Sequence, residues 1–182
     1  MTDFVLSSCQ IARYFGRHKN NKSNAATTVC DYQAIKQLVY GYAERIDAGD
    51  FDAVAALMST AKIVFLPSAE VLEGSQQVLA AHRSRVKIYP HTGTPCTTHY
   101  VNNLLIRLDG DEASAQSLFT VTQAVASFPS QTIMTGRYYD RFVKESGIWR
   151  FRERKIAPEY FGDLSFHLND FESMLNNKNY VS

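Results

Sequence analysis

A chain of 182 residues with a hydrophobic share of 45% is sized for one domain with a substantial core. Its 19 basic and 18 acidic residues leave a net charge of +1, which is no electrostatic footprint for nucleic acid or a membrane surface. No apolar run approaches the roughly 20 residues of a membrane span. Three scattered cysteines, Cys9, Cys30 and Cys96, lack metal-ligand spacing and fit reduced thiols in a cytoplasmic protein.

Residues 1–28 read as an N-terminal extension, with a weak helical pattern from Asp3 to Phe15 and a basic linker from Arg17 to Asn24. Asp31 to Gly49 is a predicted helix. Asp31 is placed to cap its start. Ile35, Leu38, Val39, Tyr42, Ala43 and Ile46 form one apolar stripe at three- and four-residue steps. Gly49 ends it, and Asp50 caps a second short helix that turns Phe51, Val54, Ala55, Leu57 and Met58 inward. Ala61 to Pro67 reads as a short strand and Gly74 to Ile88 as a third helix. Tyr89 to Pro95 is a Pro/Gly-punctuated loop.

Four apolar runs follow: 98–108, 113–128, 131–144 and 148–156. Asp109-Gly110, Pro129-Ser130 and Ser146-Gly147 separate them. Asp-Gly and Ser-Gly between apolar runs are strong hairpin signals, because glycine takes the positive φ that tight turns demand. Four strands so linked form an antiparallel meander, with Pro158 stopping the last one. Residues 159–182 read as a polar C-terminal tail, with a short helix predicted over 169–175. Helices followed by strands imply an α+β fold, helices on one face of a strongly curved, mostly antiparallel sheet, with a ligand pocket at the mouth between them.

On the meander, Gly136, Tyr138, Asp140 and Phe142 share one face by the two-residue period, and Arg137, Tyr139 and Arg141 the other. Arg150, Arg152 and Arg154 alternate with Trp149, Phe151 and Glu153, the pattern of a solvated edge. Tyr42 lies five residues before Asp47, an angular offset of about 140° on a helix, so the two share a face only loosely. His82 and His91 have no third ligand at useful spacing, so no metal site is expected.

Several of these motifs, in this order, resemble the SnoaL-like branch of the nuclear transport factor 2-like superfamily. They are Tyr42-x4-Asp47-x2-Asp50, His99 with Asn102 and Asn103, Gly136-x-Tyr138-x-Asp140-x-Phe142, and Gly147-x-Trp149-x-Phe151 with Arg154. The resemblance spans about 29–158 and implies a cone-shaped α+β barrel of the cystatin-like kind. Members include scytalone and bile acid dehydratases, ketosteroid isomerase, limonene epoxide hydrolase and non-catalytic binders, so fold does not decide function. The resemblance implies His99 as a proton-handling base oriented by Asp47, with Tyr42 polarising a substrate oxygen. Phe65, Gln123, Tyr138 and Arg154 are then candidate substrate contacts, Arg154 for an anionic group. Gln123 stands where the scytalone-type enzyme has a second histidine, and Gln cannot shuttle protons.

The expected activity is a cofactor-free dehydration or isomerisation of a hydrophobic, oxygen-bearing molecule, steroid- or polyketide-like. A dyad and an oxyanion donor suffice for proton transfer beside a carbonyl. The alternatives are a non-catalytic ligand-binding or assembly module and the small subunit of a ring-hydroxylating dioxygenase. The resemblance also implies a homodimer through the outer sheet face.

Overall fold

The structure is a computed structural model that describes residues 22–171, with side chains from residue 27 onward. Helix α1 (Lys22–Asp47) carries the expected apolar stripe, and Ile35, Val39, Tyr42, Ala43 and Ile46 are all buried. It begins nine residues earlier than the pattern suggests, so Asp31 does not cap it. The Asp31 carboxylate instead accepts hydrogen bonds from Lys144 Nζ and Trp149 Nε1, both at 2.8 Å. At the other end Gly49 takes φ +72° and Asp50 N donates to Arg45 O, the closing turn that glycine permits. Asp50 caps α2 (Phe51–Leu57) by accepting from Ala53 N at 2.9 Å.

The chain then makes β1 (Lys62–Phe65), β2 (Glu70–Glu73) and α3 (Gly74–Arg85), followed by β3 (Thr97–Asp109), β4 (Glu112–Val125), β5 (Phe128–Glu145) and β6 (Ile148–Phe161). The strand β2 has no counterpart in the sequence reading, because four residues with one buried side chain, Leu72, show no usable alternation. The single sheet runs β2-β1-β6-β5-β4-β3. All neighbours are antiparallel except β1 and β6, which are parallel. Pro158 does not stop β6, which continues to Phe161. The ladder steps past it with an unpaired residue at Glu159, and bulges are where sheets tolerate proline.

Bulges bend this sheet and reset which side chains face inward. On β3 the register slips between Asn102 and Leu105, with Asn103 at φ +52°. Thr97, His99 and Val101 point inward before it, and Leu104, Ile106 and Leu108 after it. On β6 an extra residue at Arg152 does the same between Phe151 and Arg154. A one-residue insertion exchanges faces, because side chains alternate with a period of two. Trp149 and Phe151 are inward, and so is Arg154, although it is one step out of phase with the simple alternation. The solvated edge expected for Arg154 is therefore overturned: its side chain is 0% exposed.

Gly136 sits where β5 packs tightly against β6. A Cβ there would overlap Ala157 O and lie 2.8 Å from both Phe119 Cζ and Pro158 Cα. Backbone atoms cannot swing aside as a side-chain tip can. Gly136→Ala is expected to cost about 3 kcal/mol, the upper part of the overpacking range, read as a lower urea midpoint with unchanged slope. Among the described residues, no helix is long and apolar enough to cross a membrane.

Candidate active site

Asp47 is the last residue of α1. A carboxylate there faces the negative end of the helix dipole, a disfavoured position by roughly 0.3–1 kcal/mol. Its partners offset this. Oδ1 accepts from Thr97 Oγ1 at 2.7 Å and pairs with His99 Nδ1 at 2.5 Å, while Oδ2 accepts from His99 N at 2.7 Å. Burial tends to raise the Asp47 carboxyl, but the hydrogen bonds and charge of His99, with the Thr97 hydroxyl, outweigh it and hold the group below its ordinary value. The His99 side chain is 8% exposed. With the Nδ1 proton donated to Asp47, the lone pair lies on Nε2, which has no hydrogen-bond partner among the described residues.

The core beneath the sheet holds a second ion pair. Arg154 Nε and Nη2 donate to the two oxygens of Asp140 at 2.8 and 2.7 Å, and both side chains are buried. The guanidinium carbon lies 4.2 Å from the ring centres of Tyr42 and Tyr138 and 4.8 Å from that of Phe151. Tyr138 also stacks on Phe119 at 4.4 Å. Burial raises the Tyr42 phenol to about 12 against the opposing pull of Arg154, and raises Tyr138 as well. Tyr42 and Tyr138 are both buried, and their ring contacts are with Arg154, with each other and, for Tyr138, with Phe119. Arg154 has its paired carboxylate within the fold, with Nη1 left without a partner. Phe65 is half-buried on β1, with Arg85 over its ring.

Gln123 is 1% exposed and lies directly across the β3–β4 ladder from Thr97. Its Nε2 donates to Pro95 O at 2.9 Å and to Phe166 O at 3.1 Å, leaving Oε1 unpartnered. That second carbonyl belongs to a segment the sequence reading treats as polar tail. Residues 163–171 instead pack back onto the fold beside β4 and the 85–89 stretch, with Leu164 and His167 buried and Phe166 stacked on Phe128 at 4.6 Å. The cue was present: Leu164, Phe166, Leu168 and Phe171 are apolar, too many for a solvated tail. Most of the helix predicted over 169–175 lies outside the described residues.

The His167 imidazole, missed by the sequence reading, is pushed down to about 4, chiefly by burial, with the charges of His99 and His82 adding and that of Asp47 opposing. The unfolded ring takes up a proton as the pH falls below 6.5, whereas the folded one resists until about 4. The unfolded chain therefore binds more protons in that window, and stability is lost on acidification. The loss is expected to reach about 3 kcal/mol by pH 4, and His167→Phe should flatten it in thermal melts from pH 7 to 4.

Two surface cavities of about 290 and 250 Å³ are present, one against Leu38, Arg45, Leu57 and Trp149, the other on the outer sheet face around Leu105, Gln116 and Tyr139. Neither is lined by Asp47 or His99. Among the described residues, no three His, Cys, Asp or Glu side chains converge as metal ligands.

A SnoaL-like domain family model matches residues 27–155. No curated protein matches the sequence. Solved structures do match in fold. An NTF2-like protein with a cystatin-like fold from Novosphingobium aromaticivorans is 18% identical, covering 79% of this chain and 92% of its own, with a TM-score of 0.66. A candidate scytalone dehydratase from the same organism is 21% identical, covering 76% and 91%, with a TM-score of 0.61. LinA is 16% identical, covering 76% and 92%, with a TM-score of 0.60. These identities speak to the fold alone.

Proposed function

The chain belongs to the SnoaL-like domain family, and from that premise we propose that it is a cofactor-free proton-transfer enzyme, a dehydratase or isomerase of hydrophobic, oxygen-bearing small molecules. The observation that carries this is the grip of Asp47 on His99. One carboxylate holds both the ring Nδ1 and the backbone N of the same histidine. Two contacts to one residue fix ring orientation and tautomer together, which a general base requires and a merely buried histidine does not.

In a β-hydroxyketone, His99 Nε2 takes the proton from the carbon beside the carbonyl. The released electron pair forms the enolate, then returns to make the carbon–carbon double bond as the C–O bond at the β carbon breaks. The imidazolium, stabilised by Asp47, gives its proton to the departing hydroxide, so water leaves and His99 is neutral again. In an isomerisation the same proton goes to the γ carbon instead. A bicyclic hydroxytetralone is a suitable probe, since loss of water yields a fluorescent naphthol. Appearance of naphthol above the uncatalysed rate supports the reading, and none at any pH from 5 to 9 removes it.

A second reading, an assembly module of the same fold, is favoured by the outer surface. Leu105 is 66% exposed, Tyr160 73% and Tyr100 50%, and neither described cavity reaches the dyad. On that reading the chain gives no naphthol and pairs through the sheet face. Light scattering at micromolar concentration distinguishes a pair from a monomer.

A further inference from the structure

His167 is held in a way that its own side chain does not explain. The carbonyl before it, Phe166 O, accepts from Tyr89 Oη at 2.6 Å and from Gln123 Nε2 at 3.1 Å. Its own carbonyl accepts from Lys87 N at 2.8 Å, and Asn169 N donates to Arg85 O at 2.8 Å. Main-chain contacts on both sides therefore set the position of this one residue. The ring is buried, 7% exposed, and its Nδ1 has no partner. Buried polar atoms are almost always hydrogen-bonded, so a clamped residue with an orphaned ring nitrogen calls for a partner that comes and goes.

Its location says which partner. Thr97, which donates to Asp47, pairs across the ladder with Gln123, which holds the Phe166–His167 peptide. Directly opposite residues in a sheet have Cβ atoms about 5 Å apart. The dyad and the Gln123 grip are thus neighbours on the inner face of the same two strands. The ionisable groups around His167 are Asp47 from α1, His82 from α3 and His99 from β3. Lys87 and Tyr89 lie alongside, their side chains on the carbonyls of Ser165 and Phe166.

We propose that His167 is the electrophilic group of the site: its Nδ1–H donates to the substrate's carbonyl oxygen while His99 Nε2 removes the neighbouring proton, and Gln123 and Tyr89 are positioning residues. This rests on the reading of His99 as the base. The two imidazoles have opposite environments, which suits opposite tasks. His99 has a carboxylate to stabilise its cation. His167 has none bonded to it and is buried, so it remains a neutral donor at physiological pH. A neutral imidazole can polarise a carbonyl and stabilise the enolate without transferring its proton. No atoms are exchanged at His167: the hydrogen bond shortens as charge moves onto oxygen and relaxes when the double bond forms. The substrate class is therefore narrowed to ketones and thioesters whose oxygen can reach the 163–171 segment, in place of alcohols or epoxides without a carbonyl.

Nitrogen NMR of the full chain with isotope-labelled histidine tests the placement without any need for turnover. At pH 7 the His167 Nδ1 signal is expected to be of the protonated, pyrrole type, and His99→Asn should raise the titration midpoint of His167. A pyridine-type Nδ1, or a midpoint unmoved by His99→Asn, overturns the proposal. With the hydroxytetralone, His167→Gln should lower kcat by about a hundredfold, with KM within about twofold. Gln123→Ala should lower kcat less and shift the Nδ1 resonance. A folded His167→Gln protein at full kcat also overturns it. Failure of the wild type to release naphthol removes the enzymatic reading, leaving the NMR result to decide whether His167 is a neutral Nδ1–H donor.

Discussion

Replacing His99 with alanine is expected to lower hydroxytetralone turnover by about a hundred- to ten-thousandfold, the span that one general base contributes. The loss belongs in kcat, because the imidazole acts on a proton and not on the body of the substrate. Asp47→Asn tests the partner. The amide nitrogen can replace one acceptor with a donor, which disturbs the Nδ1 contact and removes the charge that stabilises the imidazolium. A loss of at least about a hundredfold is expected. Asp47 also accepts from the His99 main chain and from Thr97, so a fall in stability accompanies this variant. Circular dichroism at the assay temperature separates the two effects. Full turnover by either folded variant would sink the dyad mechanism.

The largest effect on stability is expected at Asp140. Its carboxylate is the hydrogen-bonded counter-charge of Arg154, and both side chains are sealed from water by Tyr42, Tyr138 and Phe151. Asp140→Ala strands a guanidinium in an aromatic box, where the coulombic attraction that repaid its desolvation is gone. The cost is expected to be about 3–5 kcal/mol, or a drop of about 10 °C or more in Tm for a chain of this size. Arg154→Met combined with Asp140→Leu removes both charges and keeps the volume. The pair should recover most of the loss, since apolar replacement of a buried ion pair is often close to neutral. A double variant no more stable than Asp140→Ala would show that packing geometry, not charge, is what this pair supplies.

How legible these features were follows from how local their signals are. The helix stripe of α1, the Asp50 cap and the glycine turns at Gly110 and Gly147 each depend on residues a few positions apart, and they stand in the structure as read. The turn expected at Pro129-Ser130 does not: both residues lie in β5, and the chain reverses at Ala126-Ser127, where no glycine or proline marks it. The Asp47–His99 pair was reachable through the ordered motifs, although 52 residues separate its members. Arg154 was misjudged because strict alternation ignores an unpaired residue at 152, and a bulge leaves no mark in composition. Asp31 was misjudged because a capping residue and a mid-helix acid look alike until Lys144 and Trp149 arrive from distant strands. His167 was invisible for a related reason. Its neighbours come from α3, the 86–96 stretch and β4, none of them near it in the chain.

The 163–171 segment is fastened in two ways: the carbonyls of Ser165, Phe166 and His167 accept and the amide of Asn169 donates, while Leu164 is buried in the core and Phe166 stacks on Phe128. The main-chain part of that attachment is indifferent to side-chain identity. The barrel can therefore hold a differently worded ending in the same place, and each rewording would present new groups to the same base. Swapping Ser165 and His167, with Leu164, Phe166 and Leu168 kept as apolar anchors, is accordingly a route to altered substrate preference that leaves the sheet and its ion pair untouched.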